Sequence, residues 1–248
     1  MKSKIVKTII VVILFAAFVG SVVFTLMFFN GLSGIRLNPQ YKEGQIKVAL
    51  VGDSVTYGHS IKNWPKNNYP ALLSDALGEK YCVKSYGVSG STVQPDGDQP
   101  YNITKAYAWS HDFKADILVF MLGSNDSKPE NWKGAEKFKE EYLKLLDSYT
   151  QVEDPPVVLL CTPPTAYFPD GATEGLSNYD VQPLIIEEIA EIVRNVALEM
   201  DYTMIDINNL TKNRRDLFGK DNVHPNNQGA KTIANEIHKF IPNFKVDI

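Results

Sequence analysis

The chain has 248 residues, of which 44% are hydrophobic and 22% charged, with a formal net charge of −4. This length and composition are typical of one sizeable folded domain and argue against a disordered chain. After residue 30 the chain carries 29 acidic and only 22 basic residues and has no Lys/Arg-rich run, which argues against a nucleic-acid-binding protein.

The N-terminal segment departs from this average composition. Lys2, Lys4 and Lys7 precede an uncharged run, residues 8–29, made almost wholly of Ile, Val, Leu, Phe and Ala. A bilayer-spanning helix needs about 20 such residues, whereas the apolar core of a secretory signal has roughly 7–15. Lysines on the short N-terminal side predict that this end stays in the cytoplasm. We therefore expect a single-pass membrane anchor.

This anchor predicts three regions along the chain. Residues 1–29 would form a cytoplasmic stub and transmembrane helix, and residues 30–44, with Gly, Ser, Asn and Pro but no periodicity, a linker. Residues 45–248 would form one folded domain outside the cytoplasm. The small-x-small tripeptide at residues 31–33 would also suit a signal peptidase, so a cleaved, secreted form stays open.

Alternating strands and helices are predicted within this domain. Short apolar runs rich in β-branched residues predict five strands, at 46–51, 81–86, 117–122, 157–161 and 202–207. Helical spacing of apolar residues predicts helices at 69–77, 134–149, 183–200 and 228–240. Such alternation is typical of a three-layer α/β/α domain with a parallel sheet, for which we expect the flavodoxin-like order 2-1-3-4-5.

The cysteines and most histidines show no metal-binding pattern. Cys82 and Cys161 each lie in a predicted strand, which favours buried thiols over a disulfide. His59, His111 and His238 lack ligand spacing such as H-E-x-x-H. We expect neither a metal nor another cofactor.

Polar or small residues follow the first three predicted strands. The tripeptide Gly52-Asp53-Ser54 follows the first, small residues up to Gly90 follow the second, and Asn125 follows the third. Each motif alone would be an ordinary turn or helix cap. However, ligands of a doubly wound sheet bind outside the carboxyl ends of its strands. The expected strand order would therefore bring all three motifs to one site.

A fourth motif lies near the C-terminus. Asp221 and His224 are three residues apart in a loop before the last predicted helix. A carboxylate at this spacing can accept a hydrogen bond from one ring nitrogen, which leaves the other to take a proton from a serine hydroxyl. The alternative is a surface histidine beside a helix cap. With Ser54 at the same edge of the sheet, the pattern favours nucleophilic catalysis.

These four blocks, in this order, resemble the SGNH/GDSL hydrolase (esterase) family over about residues 46–240. The resemblance implies that Ser54 is the nucleophile, that His224 is the general base and then acid, and that Asp221 orients His224. It also implies an oxyanion hole formed by the backbone N–H groups of Ser54 and Gly90 and the side chain of Asn125. Gly87 remains an alternative to Gly90, because this chain has Ser85-Tyr86 where the family often has Asn before its glycine. The G-x-S-x-G pentapeptide of the α/β-hydrolases does not occur.

The substrate is less closely indicated. Residues 123–132 are similar to carbohydrate O-acetylesterases within the family, which implies O-acetyl esters of an extracellular carbohydrate. Aromatic side chains in or near predicted loops are available to pack against sugar rings, namely Tyr57, Trp64, Trp109, Trp132, Tyr167 and Phe168. Three alternatives stay open: an extracytoplasmic O-acyltransferase, a lipase or lysophospholipase, and an inactive polysaccharide-binding protein. The predicted partners are an acylated small molecule or polysaccharide and, through the N-terminal helix, the membrane.

Overall fold

A computed structural model of the protein describes residue 15, residues 18–22 and residues 39–241. Most of the predicted anchor and linker lies outside these residues. Within the described parts of the chain, no helix combines the length and the apolar character needed to cross a bilayer. The membrane anchor stays a prediction.

One sheet of five parallel strands lies at the centre of the domain, in the order β2-β1-β3-β4-β5. The strands are β1 (Ile46–Gly52), β2 (Tyr81–Gly87), β3 (Ile117–Met121), β4 (Val157–Cys161) and β5 (Thr203–Ile205). The predicted order is confirmed. Gly52 at the end of β1 is level with Gly87 on one side and Met121 on the other, so three strands end side by side.

Helices of very different lengths connect the strands. They are α1 (Ser54–Tyr57), α2 (Trp64–Asn67), α3 (Tyr69–Leu77), α4 (Lys105–Asp112), α5 (Ala135–Thr150), α6 (Pro183–Glu199), α7 (Ile207–Thr211) and α8 (Asn227–His238). Helices α3, α5, α6 and α8 are the four predicted ones. Short 3₁₀ turns occur at Tyr101–Ile103, Asn125–Ser127, Asn178–Asp180 and Arg215–Leu217.

Both faces of the sheet are covered, which gives the predicted three layers. Successive strand residues point to opposite faces, so Val48 and Leu50 pack in one core with α3 and α8. Ala49 and Val51 pack in the other core with α4, α5 and α6. Burial on both faces explains why the strands are continuous apolar runs rather than alternating ones. Both cysteines are buried free thiols, as predicted.

The end of the fifth strand was predicted wrongly. The apolar run suggested a strand over residues 202–207, but β5 ends at Ile205 and α7 begins at Ile207. Asp206 causes the change, because its Oδ1 accepts a hydrogen bond from the backbone N–H of Asn209 at 3.1 Å and so caps α7. Arg194 holds the same carboxylate with its guanidinium, at 2.9 Å.

Candidate active site

Ser54 is the first residue of α1, directly beyond the end of β1. The chain turns sharply here, and a Cβ on Gly52 would lie 2.7 Å from the carbonyl oxygen of Met121, so only glycine fits. Asp53 starts the helix, because its Oδ1 accepts a hydrogen bond from the backbone N–H of Val55 at 2.9 Å. These local features place the Ser54 hydroxyl at the carboxyl edge of the sheet, where it is only 6% exposed.

Ser54, His224 and Asp221 form a continuous chain of polar contacts. The Ser54 Oγ lies 2.9 Å from the Nε2 of His224, and the Nδ1 of His224 lies 3.0 Å from the Oδ2 of Asp221. His224 is only 5% exposed, so little water competes for these contacts. The structure thus brings together the three residues that the sequence predicted to act together.

The Asp221 carboxylate is held in its ionised form. Burial alone would raise its pKa, but hydrogen bonds from the side chain and backbone of His224 and from the backbone of Val223 lower this pKa to about 2. An ionised carboxylate only accepts hydrogen bonds, so the Nδ1 of His224 carries the shared proton. In the neutral ring the Nε2 is then an acceptor, and the Ser54 hydroxyl donates to it.

The loop before α8 fixes the position of His224. The carbonyl oxygen of His224 accepts a hydrogen bond from the N–H of Gly219 at 2.8 Å. The N–H of Asn226, two residues after His224, donates to the carbonyl oxygen of Leu217 at 2.8 Å. The Asn226 side chain then caps α8 by accepting from two backbone N–H groups. The imidazole is therefore anchored to a long helix on one side and to the Asp221 turn on the other.

Asn125 lies in the 3₁₀ turn that follows β3. Its Nδ2 donates one hydrogen bond to the carbonyl oxygen of Ser91 at 3.0 Å, which orients the amide and leaves its second N–H available. Asn131 steadies the same turn, because its Nδ2 donates to the backbone carbonyl of Asn125 at 2.9 Å. Among the described residues, neither the Ser54 nor the Gly90 backbone N–H has a hydrogen-bond acceptor. Three donors are thus available for an oxyanion.

The structure separates the roles of Gly87 and Gly90. Gly87 is the last residue of β2, and a Cβ there would collide with the backbone of Thr56 and Tyr57, so this glycine serves close packing of α1 on β2. Gly90 lies in the loop beyond, with a φ of +85°, and a Cβ would lie 2.8 Å from the Gln99 Oε1. The left-handed backbone and its free N–H favour Gly90 as the oxyanion donor.

A buried carboxylate that the sequence analysis did not single out supports this region. Both oxygens of Asp126 lie 3.0 Å from the backbone N of Val93, and Oδ1 also accepts from the N–H of Gln94 at 2.9 Å. Burial raises the pKa of Asp126 to about 7, although these N–H groups act in the opposite direction. No local sequence pattern indicates these partners, because they lie more than thirty residues earlier in the chain.

Two further rings contact the imidazole of His224. The centroid of the His59 ring lies 4.4 Å from that of His224, and the centroid of the Tyr179 ring lies 5.0 Å from it. Neither residue was a predicted site residue. The one signal for Tyr179 was its place at the end of a long loop, residues 163–179, between a strand and a helix.

Several of the aromatic side chains that could pack against sugar rings contact other side chains of the protein. Trp132 packs on Phe138 in the core, and Tyr167 packs edge-on against Phe218. Tyr57 and Trp64 stack on each other at 5.0 Å and line a cavity of about 260 Å³. Ser54 is not among the residues that line this cavity.

The described residues show no cluster of three or more His, Cys, Asp or Glu side chains arranged to hold a metal ion.

Comparison with known proteins identifies the family of the chain. The model of the GDSL-like lipase/acylhydrolase family matches residues 50–232. The chain belongs to this family. The predicted SGNH/GDSL membership is therefore confirmed.

A curated relative of this GDSL-family chain is an acetylxylan esterase. An acetylxylan esterase from Xylanibacter ruminicola is 34% identical over 214 residues, which cover 79% of this chain and 43% of that protein. The chain therefore spans less than half the length of this relative.

Solved structures share the fold at lower identity. A carbohydrate acetylesterase family member from Sinorhizobium meliloti has a TM-score of 0.63 and 22% identity, over 79% of this chain and 97% of that one. An aryl esterase from M. smegmatis has a TM-score of 0.65 and 16% identity, over 81% of this chain and all of the other.

Proposed function

We propose that the protein is a serine esterase that hydrolyses O-acetyl esters of a carbohydrate through an acyl-enzyme intermediate. The observation that carries this proposal is the unbroken chain from the Ser54 hydroxyl through His224 to the ionised Asp221. A buried serine in this arrangement has a base within hydrogen-bond distance, and that base has a partner which fixes its tautomer.

In the first half of the reaction, the Ser54 Oγ attacks the ester carbonyl carbon while its proton passes to the Nε2 of His224. The carbonyl oxygen becomes an oxyanion that accepts hydrogen bonds from the Ser54 and Gly90 N–H groups and from the Asn125 amide. Collapse of the tetrahedral intermediate breaks the bond to the alcohol oxygen, which takes the proton from the Nε2. The acyl group stays on Ser54 and the alcohol departs.

The second half of the reaction repeats these steps with water. The Nε2 of His224 takes a proton from a water molecule as its oxygen attacks the acyl carbon, and the proton then passes to the departing Ser54 Oγ. The products are a carboxylic acid and the restored serine. Asp221 stays ionised throughout and stabilises the imidazolium that forms in each half.

The choice of substrate rests on sequence similarity. The 34% identical relative is an acetylxylan esterase, and residues 123–132, which contain Asn125, are similar to carbohydrate O-acetylesterases. The apolar run at residues 8–29 supports the further proposal that the enzyme is membrane-anchored and acts outside the cytoplasm. An extracellular polysaccharide would be accessible to such an enzyme.

The test compares the detergent-purified full chain with Ser54→Ala and with a matched control, Ser148→Ala, whose hydroxyl bonds only within α5. Wild type and control are expected to release acetate from acetylated xylan and to hydrolyse p-nitrophenyl acetate, whereas Ser54→Ala should do neither. Equal turnover by Ser54→Ala would overturn the proposed nucleophile.

The same assay distinguishes the other activities. Mass spectrometry of an added unacetylated glycan would detect acetyl transfer, which would identify an acyltransferase. Preference for long-chain p-nitrophenyl esters would identify a lipase. Binding of the polysaccharide with no turnover of any ester would identify an inactive binding protein.

A further inference from the structure

Three aromatic rings from separate parts of the chain meet beside the proposed nucleophile. The ring centroids of His59 and Tyr179 lie 5.8 Å apart, each ring contacts His224, and the Tyr179 hydroxyl lies 3.3 Å from the Nε2 of His59. We call these three residues the ring cluster. His59 and Tyr179 have no part in the proposed hydrolysis steps. Their contacts with the general base, His224, therefore need another explanation.

The loop that carries Tyr179 is attached directly to the loop that carries Asp221. The Asn178 Nδ2 donates to the carbonyl oxygen of Asp221 at 2.8 Å. Further back in the same loop, the N–H of Tyr167 donates to the carbonyl oxygen of Asn222 at 2.9 Å. These hydrogen bonds fix the loop that carries Tyr179 against the turn that carries Asp221 and His224. The Tyr179 ring therefore has a defined position relative to His224.

The backbone at Tyr179 adopts a costly conformation. Tyr179 and Asp180 have φ angles of +60° and +58°, in the left-handed region that residues with a Cβ avoid. Consecutive non-glycine residues in this region persist only where surrounding contacts hold them. The hydrogen bonds to the catalytic turn hold this segment and point the tyrosine ring at His224.

Tyr179 is also the solvent-exposed residue of the ring cluster. Tyr179 is 51% exposed, whereas His224 is 5% and Ser54 is 6% exposed. A flat ring that is half in solvent and half against a catalytic imidazole offers one free side to a bound molecule. Aromatic rings of this kind supply a large contact area at little conformational cost.

The mechanism indicates which part of the substrate reaches this ring. His224 must deliver its proton to the departing alcohol oxygen, so the alcohol lies beside the imidazole while the carbonyl oxygen lies among the Ser54, Gly90 and Asn125 donors. Side chains packed around His224 therefore meet the alcohol part of the ester rather than the acyl part. In a sugar acetate, that part is the sugar ring.

We infer that Tyr179, supported by His59, forms an alcohol-side subsite that binds the sugar ring carrying the acetyl group. This inference rests on the proposed esterase function and assigns the residue that recognises its substrate. The Tyr179 ring packs on the apolar face of the sugar. His59 holds the tyrosine hydroxyl and offers a ring nitrogen to a sugar hydroxyl.

His59 suits this supporting role because it avoids a second positive charge beside the base. Burial lowers the pKa of His59, and the neighbouring His224 lowers it further. The opposing charge of Asp221 acts less strongly. The lowered pKa favours the neutral form of His59 at neutral pH, and a neutral His59 does not repel the imidazolium that forms on His224.

The test uses two substrates with the same acetyl group and different alcohols. Acetylated xylobiose presents a sugar ring to Tyr179, whereas ethyl acetate has an alcohol too small to pack on it. The measured quantity is the ratio of kcat/KM for acetylated xylobiose to kcat/KM for ethyl acetate. The full-length variants are Tyr179→Ala, Tyr179→Leu, which keeps bulk without a flat ring, and Tyr179→Phe.

The ratio is expected to fall about tenfold in Tyr179→Ala and Tyr179→Leu and to stay within about twofold of wild type in Tyr179→Phe. The control is Tyr41→Ala. Tyr41 has a similar exposure (45%) but is distant from Tyr179 in the sequence, so this variant should keep the wild-type ratio. An unchanged ratio in Tyr179→Leu would overturn the inference. Equal losses on both substrates would also overturn it, since Tyr179 would then only support His224.

Product inhibition provides a second, independent measurement. Xylobiose should inhibit ethyl acetate hydrolysis competitively in wild type and more weakly in Tyr179→Leu, and equal inhibition would contradict the subsite. Failure of the proposed function would look different. In that case wild type and Ser54→Ala would turn over both substrates equally, whatever residue stands at position 179.

Discussion

The Nε2 of His224 lies 2.9 Å from the Oγ of Ser54, although 170 positions separate the two residues in the sequence. Each atom is placed by its own local structure, Ser54 by the turn from β1 into α1 and His224 by the loop that leads into α8. The sheet brings these two turns together because both lie at its carboxyl edge.

Replacing Asn125 by Ala should lower kcat by about 10²–10³ because one of three oxyanion donors is lost. KM should change much less, since the donor acts mainly on the charge that develops in the transition state. Steady-state kinetics with p-nitrophenyl acetate would measure both. Asn209→Ala, at an exposed position in α7, is the control and should behave as wild type. A full rate in Asn125→Ala would make Asn125 a turn residue only.

Replacing Asp221 by Asn should lower kcat by about 10⁴, because an amide cannot fix the tautomer of His224 in which Nε2 is an acceptor. Asp201→Asn is a suitable control, since Asp201 is exposed and has a φ of +54°, which Asn tolerates. A loss of less than tenfold in Asp221→Asn would contradict the orienting role.

Asp221 should also contribute to stability in a pH-dependent way. Its pKa is lowered from 3.8 to about 2 in the folded protein, so its contribution is present above about pH 4 and is lost as the pH falls through about 2. Urea unfolding of wild type and Asp221→Asn would measure this. The difference in their free energies of unfolding should shrink as the pH is lowered from 4 to 2, and a constant difference would contradict the lowered pKa.

Replacing Gly90 by Ala should reduce activity by more than its effect on stability explains. A Cβ at this left-handed residue forces the loop to move, and with it the N–H proposed to bind the oxyanion. Gly78→Ala is the matched control, because Gly78 has a φ of +72° and its Cβ would meet no atom of the described residues within 4 Å. Both variants should lose about 1–2 kcal/mol of stability, but only Gly90→Ala should lose activity. Equal kcat values for Gly90→Ala and Gly78→Ala would favour Gly87 as the oxyanion donor.

Replacing Asp126 by Ala should destabilise the fold by about 1–3 kcal/mol, because the buried N–H groups of Val93 and Gln94 lose their acceptor. The size of this loss should depend on pH. The pKa of Asp126 is raised from 3.8 to about 7, so the stability linked to its protonation is present below about pH 4 and is lost as the pH rises through about 7. Urea unfolding should therefore show a larger difference between wild type and variant at pH 5 than at pH 8. The opposite trend would mean that the two N–H groups outweigh burial.

The sequence was a good guide wherever a pattern was local. Apolar runs identified all five strands and helical spacing identified the four long helices, because buried elements must match the period of their backbone. The predicted end of β5 was wrong, because Asp206 caps α7 and so ends the strand within an apolar run. The predicted strand order was correct, and it placed Ser54, Gly90, Asn125 and His224 at one edge before any contact was known.

Other features of the site depended on tertiary contacts between distant segments. Asp126 accepts from backbone more than thirty positions earlier, and Tyr179 contacts His59 across 120 positions. No local spacing predicts such pairs, because each depends on how two irregular loops pack at the edge of the sheet. By itself the sequence determined the family, the strand order and the residues of the proposed catalytic chain. Only the tertiary structure decided which loops support these catalytic residues and which aromatic ring lies solvent-exposed beside His224. The physical reason is that packing between distant segments sets both.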